Sequence, residues 1–226
     1  ISDFLTRNGY YTLRCDDYGF RGEDISNQTT LDIIEDINAQ IDYLKNIKNI
    51  KKIVLLGHSE GGIVSQALAN KVNAIILLSS PSISGKEIYK KQVIHLLENA
   101  NVPEMTMSLI ENEIDKATSA LTNNLFTNEE KKNIVFKYLK ISGNNDETAQ
   151  VIYQTLSSPW YVTFLKLDPR NYIKQIKVPT LVLQGEKDTQ VDSEANIKVF
   201  KELLKSENRI IVYPSYNHLL QKCKTG

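Results

Sequence analysis

Five short apolar runs, separated by stretches in which apolar residues recur every three or four positions, set the frame of this chain. The runs are Tyr10–Cys15 (YYTLRC), Lys52–Gly57 (KIVLLG), Ala74–Ser79 (AIILLS), Thr180–Gly185 (TLVLQG) and Arg209–Pro214 (RIIVYP). Most are continuously apolar rather than alternating, the pattern of parallel strands covered by helices on both faces. Helical periodicity fills Ile1–Asn8, Thr30–Ile47, Glu60–Lys71 and Ser193–Lys205. The first of these stops at Asn8-Gly9, a C-terminal signal. The second opens at Thr29-Thr30 and sets Ile34, Ile37, Ile41 and Leu44 on one face, while the last turns Ile197, Phe200 and Leu204 inward. Alternating strands and helices predict an α/β fold.

One interval breaks the alternation. From Pro81 to Val178 there is no strand pattern, only helical ones over Gly85–Asn99, Pro103–Asn123, Asn128–Ile141 and Asp146–Leu156. A stretch of that length between two core strands is too long for a loop. It predicts a helical insertion over the carboxyl ends of the strands, where open α/β sheets bind their ligands. The expected division is a core formed by residues 1–80 and 179–226, with residues 81–178 as the insertion.

Composition narrows the classes further. The 226 residues carry 27 Lys+Arg against 27 Asp+Glu, which removes the electrostatic case for a nucleic-acid binder or a basic membrane-surface module. Hydrophobic residues at 41% and charged residues at 24% are ordinary globular usage, and no apolar run approaches the ~20 residues of a membrane span. Two cysteines, Cys15 and Cys223, make neither a disulfide framework nor a zinc cluster. The start, ISDFLTRNGYY, has no initiator Met and no signal-peptide pattern, so the chain reads as a segment of something longer. Compartment and oligomeric state are not legible.

The chemistry concentrates around Gly57-His58-Ser59-Glu60-Gly61, a G-x-S-x-G between an apolar strand and a helix. On its own this could equally be a Gly-rich turn with an inert serine. In a strand–turn–helix setting it predicts a nucleophile elbow, with Gly57 and Gly61 lacking the Cβ atoms that so sharp a turn would exclude. Ser59 would need a base and an orienting carboxylate. Of three histidines, His58 should point away and pack or bond near the turn, and His95 falls inside an insertion helix. His218 comes after the last strand in a turn-rich loop, where it can reach across the sheet. Asp188, just after the strand Thr180–Gly185, is the preferred carboxylate over Glu186 and Asp192, because Asp192 or Ser193 can cap the next helix. Trp160, Tyr161 and Phe164 could wall a pocket or simply pack the insertion, and Met105 and Met107 could line an entrance or fill space. No G-x-G-x-x-G and no cluster at metal-ligand spacing appears, so no cofactor or metal is implied.

Ser59, Asp188 and His218 stand in the order of the α/β-hydrolases. With Gly57–Gly62, Gly185-Glu186-Lys187-Asp188, Gln190-Val191 and Asn217-His218, the chain resembles a bacterial α/β-hydrolase-fold serine esterase of the serine aminopeptidase/monoacylglycerol-lipase-like group. Asp17-Tyr18-Gly19-Phe20-Arg21-Gly22 is similar to that group's D-x-x-G-x-G loop. The resemblance implies a mostly parallel sheet with helices on both faces and a helical cap. It also implies Ser59 as nucleophile, His218 as base, Asp188 as orienter and the Glu60 backbone N–H as one oxyanion donor. The implied reaction is hydrolysis of a small carboxylic ester, with peptidase, thioesterase or non-catalytic binding as alternatives. In that group a strand lies between the equivalents of Tyr10–Cys15 and Lys52–Gly57, a further loop supplies the second oxyanion donor, and a helix closes the fold. None has a counterpart here, so N-terminal strands and a C-terminal helix are expected to be missing.

Overall fold

Four of the five apolar runs become the strands of one parallel sheet: β1 (Val54–His58), β2 (Ala74–Leu78), β3 (Thr180–Gly185) and β4 (Asn208–Tyr213), side by side in that order. This computed structural model describes residues 1–15, 22 and 24–226. The loop Asp17–Gly22 therefore lies outside the described residues except for Gly22. His58 is in register with Leu78, Leu78 with Leu183, and Gly185 with Tyr213, so the carboxyl ends of all four strands finish along one edge.

The fifth run is not a strand. Tyr10–Cys15 carries no ladder hydrogen bonds and lies exposed, with Tyr11 86% accessible. An extended segment becomes a strand only when a neighbour takes up its N–H and C=O groups. Among the described residues the sheet ends at β1, and no strand stands between β1 and this segment.

Helices α2 (Thr30–Lys45), α3 (Glu60–Ala67) and α10 (Ser193–Leu203) cover one face of the sheet. There Ile41, Val64, Leu68, Ile197 and Phe200 bury Ile75, Leu77 and Val182. The other face, with Val54, Leu56, Ile76, Leu181, Leu183 and Ile211, stays exposed or half-buried. Helix α1 (Ser2–Arg7) buries none of its residues.

Between β2 and β3 the chain forms α4 (Gly85–Asn99), α5 (Glu104–Thr122), α6 (Asn128–Ile141), α7 (Asp146–Leu156), α8 (Pro159–Lys166) and α9 (Arg170–Ile173). Local signals start them. Ser84 and Glu87 form a capping box on α4, Thr127 and Glu130 one on α6, and Asn145 accepts from Thr148 N at 2.8 Å at the head of α7. Helices α8 and α9 have no counterpart in the sequence reading, although Ser158-Pro159 is a start signal: Ser158 accepts from Tyr161 N, and Pro159 occupies the first turn. The insertion has its own core, in which Ile114, Val135 and Ala149 are sealed and Tyr89 and Tyr138 share a buried hydroxyl–hydroxyl bond of 2.9 Å. Burial pushes both phenols above the ordinary tyrosine range.

The ends of the insertion are fastened to α10 and to each other. Ser82 N and Oγ donate to Asn196 of α10, and Gly85 N donates to Leu167 O. Arg170 pairs with both Glu87 and Asp168. Ile173 and Ile176 pack into the sheet cluster rather than the insertion's own.

Phe200→Ala, which empties a fully buried ring site, is expected to cost about 3–5 kcal/mol in urea unfolding. Leu125→Ala, at a residue 89% exposed, should change stability by less than about 0.5 kcal/mol.

Candidate active site

The turn from β1 into α3 holds Ser59 at φ 53°, ψ −120°, a conformation that L residues adopt only when the surroundings enforce it. Ser59 N donates to Leu78 O, and Ser59 O accepts from Gly62 N. Close packing explains two glycines. A Cβ on Gly57 would lie 2.0 Å from Gly61 O, and one on Gly62 would lie 2.1 Å from Ser80 Oγ. Gly61, which the sequence reading also counted as excluded from bearing a side chain, faces open space. The crowding falls one residue later, because Gly62 is the position that α3 presses against Ser80 beyond the end of β2. Helix α3 opens at Glu60, so the first N–H groups of the helix have no intrahelical acceptor and point toward the serine's end.

Asp188 and His218 meet at the same edge. His218 Nδ1–H donates to Asp188 Oδ2 at 2.8 Å, with the carboxylate fully buried and the imidazole nearly so. Asp188 Oδ1 accepts from Gln190 N and Val191 N at 2.9 and 2.8 Å, and Oδ2 also accepts from Gln184 Nε2 at 2.9 Å. Each carboxylate oxygen thus accepts from two donors. The bond between Oδ2 and Nδ1 fixes the imidazole tautomer, leaving His218 Nε2 as an acceptor. Asp192 caps α10 through Ala195 N, the role that leaves Asp188 free in the sequence reading. Glu186 is exposed.

His58 touches His218 directly. Its Nε2–H donates to the His218 backbone carbonyl at 2.9 Å, and the two rings lie 4.7 Å apart. The histidine loop is thereby held against the residue that precedes Ser59. Ser59 Oγ itself makes no hydrogen bond to another described residue. From the other side the loop rests on Gly185, where a Cβ would come within 2.4 Å of the Tyr216 and Asn217 carbonyls. His95 sits apart on α4, 41% exposed beside Glu98.

The Glu60 side chain reaches away from the turn. Its Oε1 accepts from Thr30 Oγ1 at 2.6 Å and from Trp160 Nε1 at 2.8 Å, which links α2 and the insertion helix α8 to the residue after Ser59. Trp160 stacks on Phe164 at 5.5 Å with the rings 3° from parallel. Tyr161 instead turns into the insertion's core, edge-on to Tyr89, and burial pushes its phenol up to about 12.

A sequence profile described as "Serine aminopeptidase, S33" matches residues 1–222. The chain belongs to the serine aminopeptidase S33 family. Among curated relatives it is 24% identical over 194 residues to Esterase EstD of Thermotoga maritima, covering 84% of this chain and 40% of that protein. It is 29% identical over 178 residues to the pimeloyl-[acyl-carrier protein] methyl ester esterase of Wigglesworthia glossinidia brevipalpis, covering 76% and 64%. The chain thus spans less than two thirds of the length of these relatives. Among solved structures, Est1E from Butyrivibrio proteoclasticus, solved with ferulic acid, superposes with a TM-score of 0.57 at 20% identity over 97% of this chain and 74% of that one. The fold is the α/β-hydrolase fold of the S33 family, with a parallel sheet and a helical insertion.

In this S33 chain three contributors to the site escape the sequence reading. Gln184 reads there as one more residue of a buried strand, although an amide in so apolar a run is itself a signal that it has a partner. The Glu60 side chain and the close approach at Gly185 depend on contacts across about 100 and 30 residues, which no local pattern encodes.

Gly57→Ala and Gly185→Ala are each expected to lower stability by about 3 kcal/mol in chemical unfolding, because the added methyl meets backbone that cannot yield. Gly61→Ala should be neutral or stabilising by up to about 1 kcal/mol, since its Cβ meets nothing and alanine favours the helix.

Proposed function

We propose that this chain carries the catalytic machinery of a serine hydrolase that cleaves a small carboxylic ester through an acyl-enzyme on Ser59. The observation that carries the reading is the 2.8 Å bond from His218 Nδ1 to a saturated Asp188 carboxylate, at the sheet edge where Ser59 is held at positive φ. In this reading Ser59 Oγ attacks the ester carbonyl carbon while His218 Nε2 takes the hydroxyl proton. The imidazolium so formed is stabilised by Asp188. Negative charge grows on the carbonyl oxygen and is met by the Glu60 backbone N–H at the head of α3. The tetrahedral intermediate collapses as His218 returns the proton to the departing alcohol. Water then attacks the acyl-Ser59 by the same steps in reverse, releasing the acid.

The domain assignment belongs to the same reading: residues 1–80 and 179–226 form the hydrolase core, and residues 81–178 form a cap. Separate hydrophobic clusters for sheet and insertion support it. Trp160 and Phe164, stacked beside Glu60, are assigned to the substrate side of the cap, and Tyr161 backs them from the cap's core. The names of the two curated relatives, both esterases, favour an oxygen ester as substrate. The family's description names a peptidase, so an aminoacyl amide is the second substrate to assay.

With p-nitrophenyl acetate as substrate, Ser59→Ala and His218→Ala are each expected to lower kcat by roughly 10⁴–10⁶-fold; Ser59→Ala should melt close to wild type, and His218→Ala lower, because the buried Asp188 carboxylate loses a donor. Turnover by Ser59→Ala at the wild-type rate would exclude the mechanism.

A further inference from the structure

Gln184 lies one residue before the end of β3, directly after the apolar Leu181-Val182-Leu183, and none of it is exposed. Its amide nitrogen is 2.9 Å from Asp188 Oδ2, 3.1 Å from Val191 O and 3.3 Å from Gly185 O. All three neighbours are acceptors. Turning the amide over would set its oxygen against them, so the environment fixes which end faces Asp188. The other end, Oε1, has no partner among the described residues. A buried amide half-satisfied in this way is poorly explained by packing alone, and its polar contribution goes toward Asp188.

The four donors on Asp188 divide into two pairs. Oδ1 is held by the backbone N–H groups of Gln190 and Val191, which the turn after β3 supplies for any side chains in that loop. Oδ2 is held by two side chains, His218 and Gln184. Without Gln184, Oδ2 would have one lone pair unused in a site closed to solvent, and His218 would be the one side chain left to fix Oδ2 against the Oδ1 oxygen that the backbone holds.

We propose that Gln184 is a positioning residue of the hydrolytic site, holding the Asp188 carboxylate in the orientation that keeps the His218 proton on Nδ1. The proposal rests on the reading of Ser59, Asp188 and His218 as a triad. Gln184 acts through Asp188 and touches no reacting atom.

Two variants of the full chain test it with p-nitrophenyl acetate. Gln184→Met keeps the length and removes the donor; it is expected to lower kcat about tenfold or more, the loss of one hydrogen bond to a charged group, with KM within about twofold of wild type. Gln184→Glu keeps the shape but donates only while its carboxyl is protonated. Its kcat relative to wild type is expected to be highest near pH 5 and to fall as the pH rises to about 8, because the ionised substitute opposes Asp188. The titratable groups nearby include His58 at the end of β1, Lys91 and His95 on α4, Glu186, Lys187 and Asp192 before α10, and the charged side chains of α10 itself. They are the same in every protein compared, so the ratio cancels them. A wild-type kcat in Gln184→Met, or a Gln184→Glu ratio that does not move with pH, overturns the proposal. Thermal collapse of both variants also overturns it, by making Gln184 a core residue only. Ser59→Ala run alongside separates the two failures: an active Ser59→Ala protein overturns the triad, and an inactive one leaves any failure with Gln184.

Discussion

A buried carboxylate is tolerated only where donors surround it, and in this chain the Asp188 carboxylate is the point on which the rest of the site depends. Removing a carboxylate from water is costly unless each oxygen finds partners in the interior. Here the turn after β3 supplies two backbone N–H groups, the strand itself supplies the Gln184 amide, and the loop after β4 supplies His218. The fold brings these together because β3 and β4 run parallel and in register, so that the loops leaving Gly185 and Tyr213 emerge side by side. Gly185 then lets the histidine loop settle onto the strand, and His58 holds that loop toward the turn carrying Ser59. Sheet register, glycine placement and carboxylate solvation are thus one constraint seen at three scales.

The helical insertion joins the same edge through a different contact. It departs beyond β2 and returns before β3; Asn196 of α10 holds its start, and the Arg170–Glu87 pair and the Gly85 N–H bond to Leu167 hold its two ends together. Its aromatic helix α8 reaches the turn after β1 through one carboxylate oxygen of Glu60, which also takes the hydroxyl of Thr30. The residue after Ser59 therefore serves two directions: its backbone N–H opens α3, and its side chain ties α2 to the insertion. In the proposed mechanism this puts the Trp160–Phe164 stack on the serine's side of the insertion through a direct side-chain bond.

Much of this is legible in the sequence because the signals are local. Continuous apolar runs locate β1 to β4 within two residues of their ends, and capping boxes such as Ser84–Glu87 mark the starts of insertion helices. Asp192 as a helix cap frees Asp188 for His218, which the strand–turn–helix pattern is enough to suggest. Tyr10–Cys15 misleads because an apolar run states only a preference, and pairing needs a neighbour that the described sheet does not offer. Gly61 misleads because motif spacing gives which residues are small without saying which neighbour forbids a side chain. Gln184 and the Glu60 side chain are invisible for a plainer reason: their partners lie outside the segment that each motif covers.

The role of Ser59 is tested most directly by mapping where a fluorophosphonate probe attaches, using intact-protein mass and peptide sequencing on the full chain. A single adduct on Ser59, formed quickly in the wild type and far more slowly in His218→Ala and Asp188→Ala, is the predicted result. Absence of an adduct, attachment elsewhere, or labelling of Ser59 at an undiminished rate without His218 would contradict it.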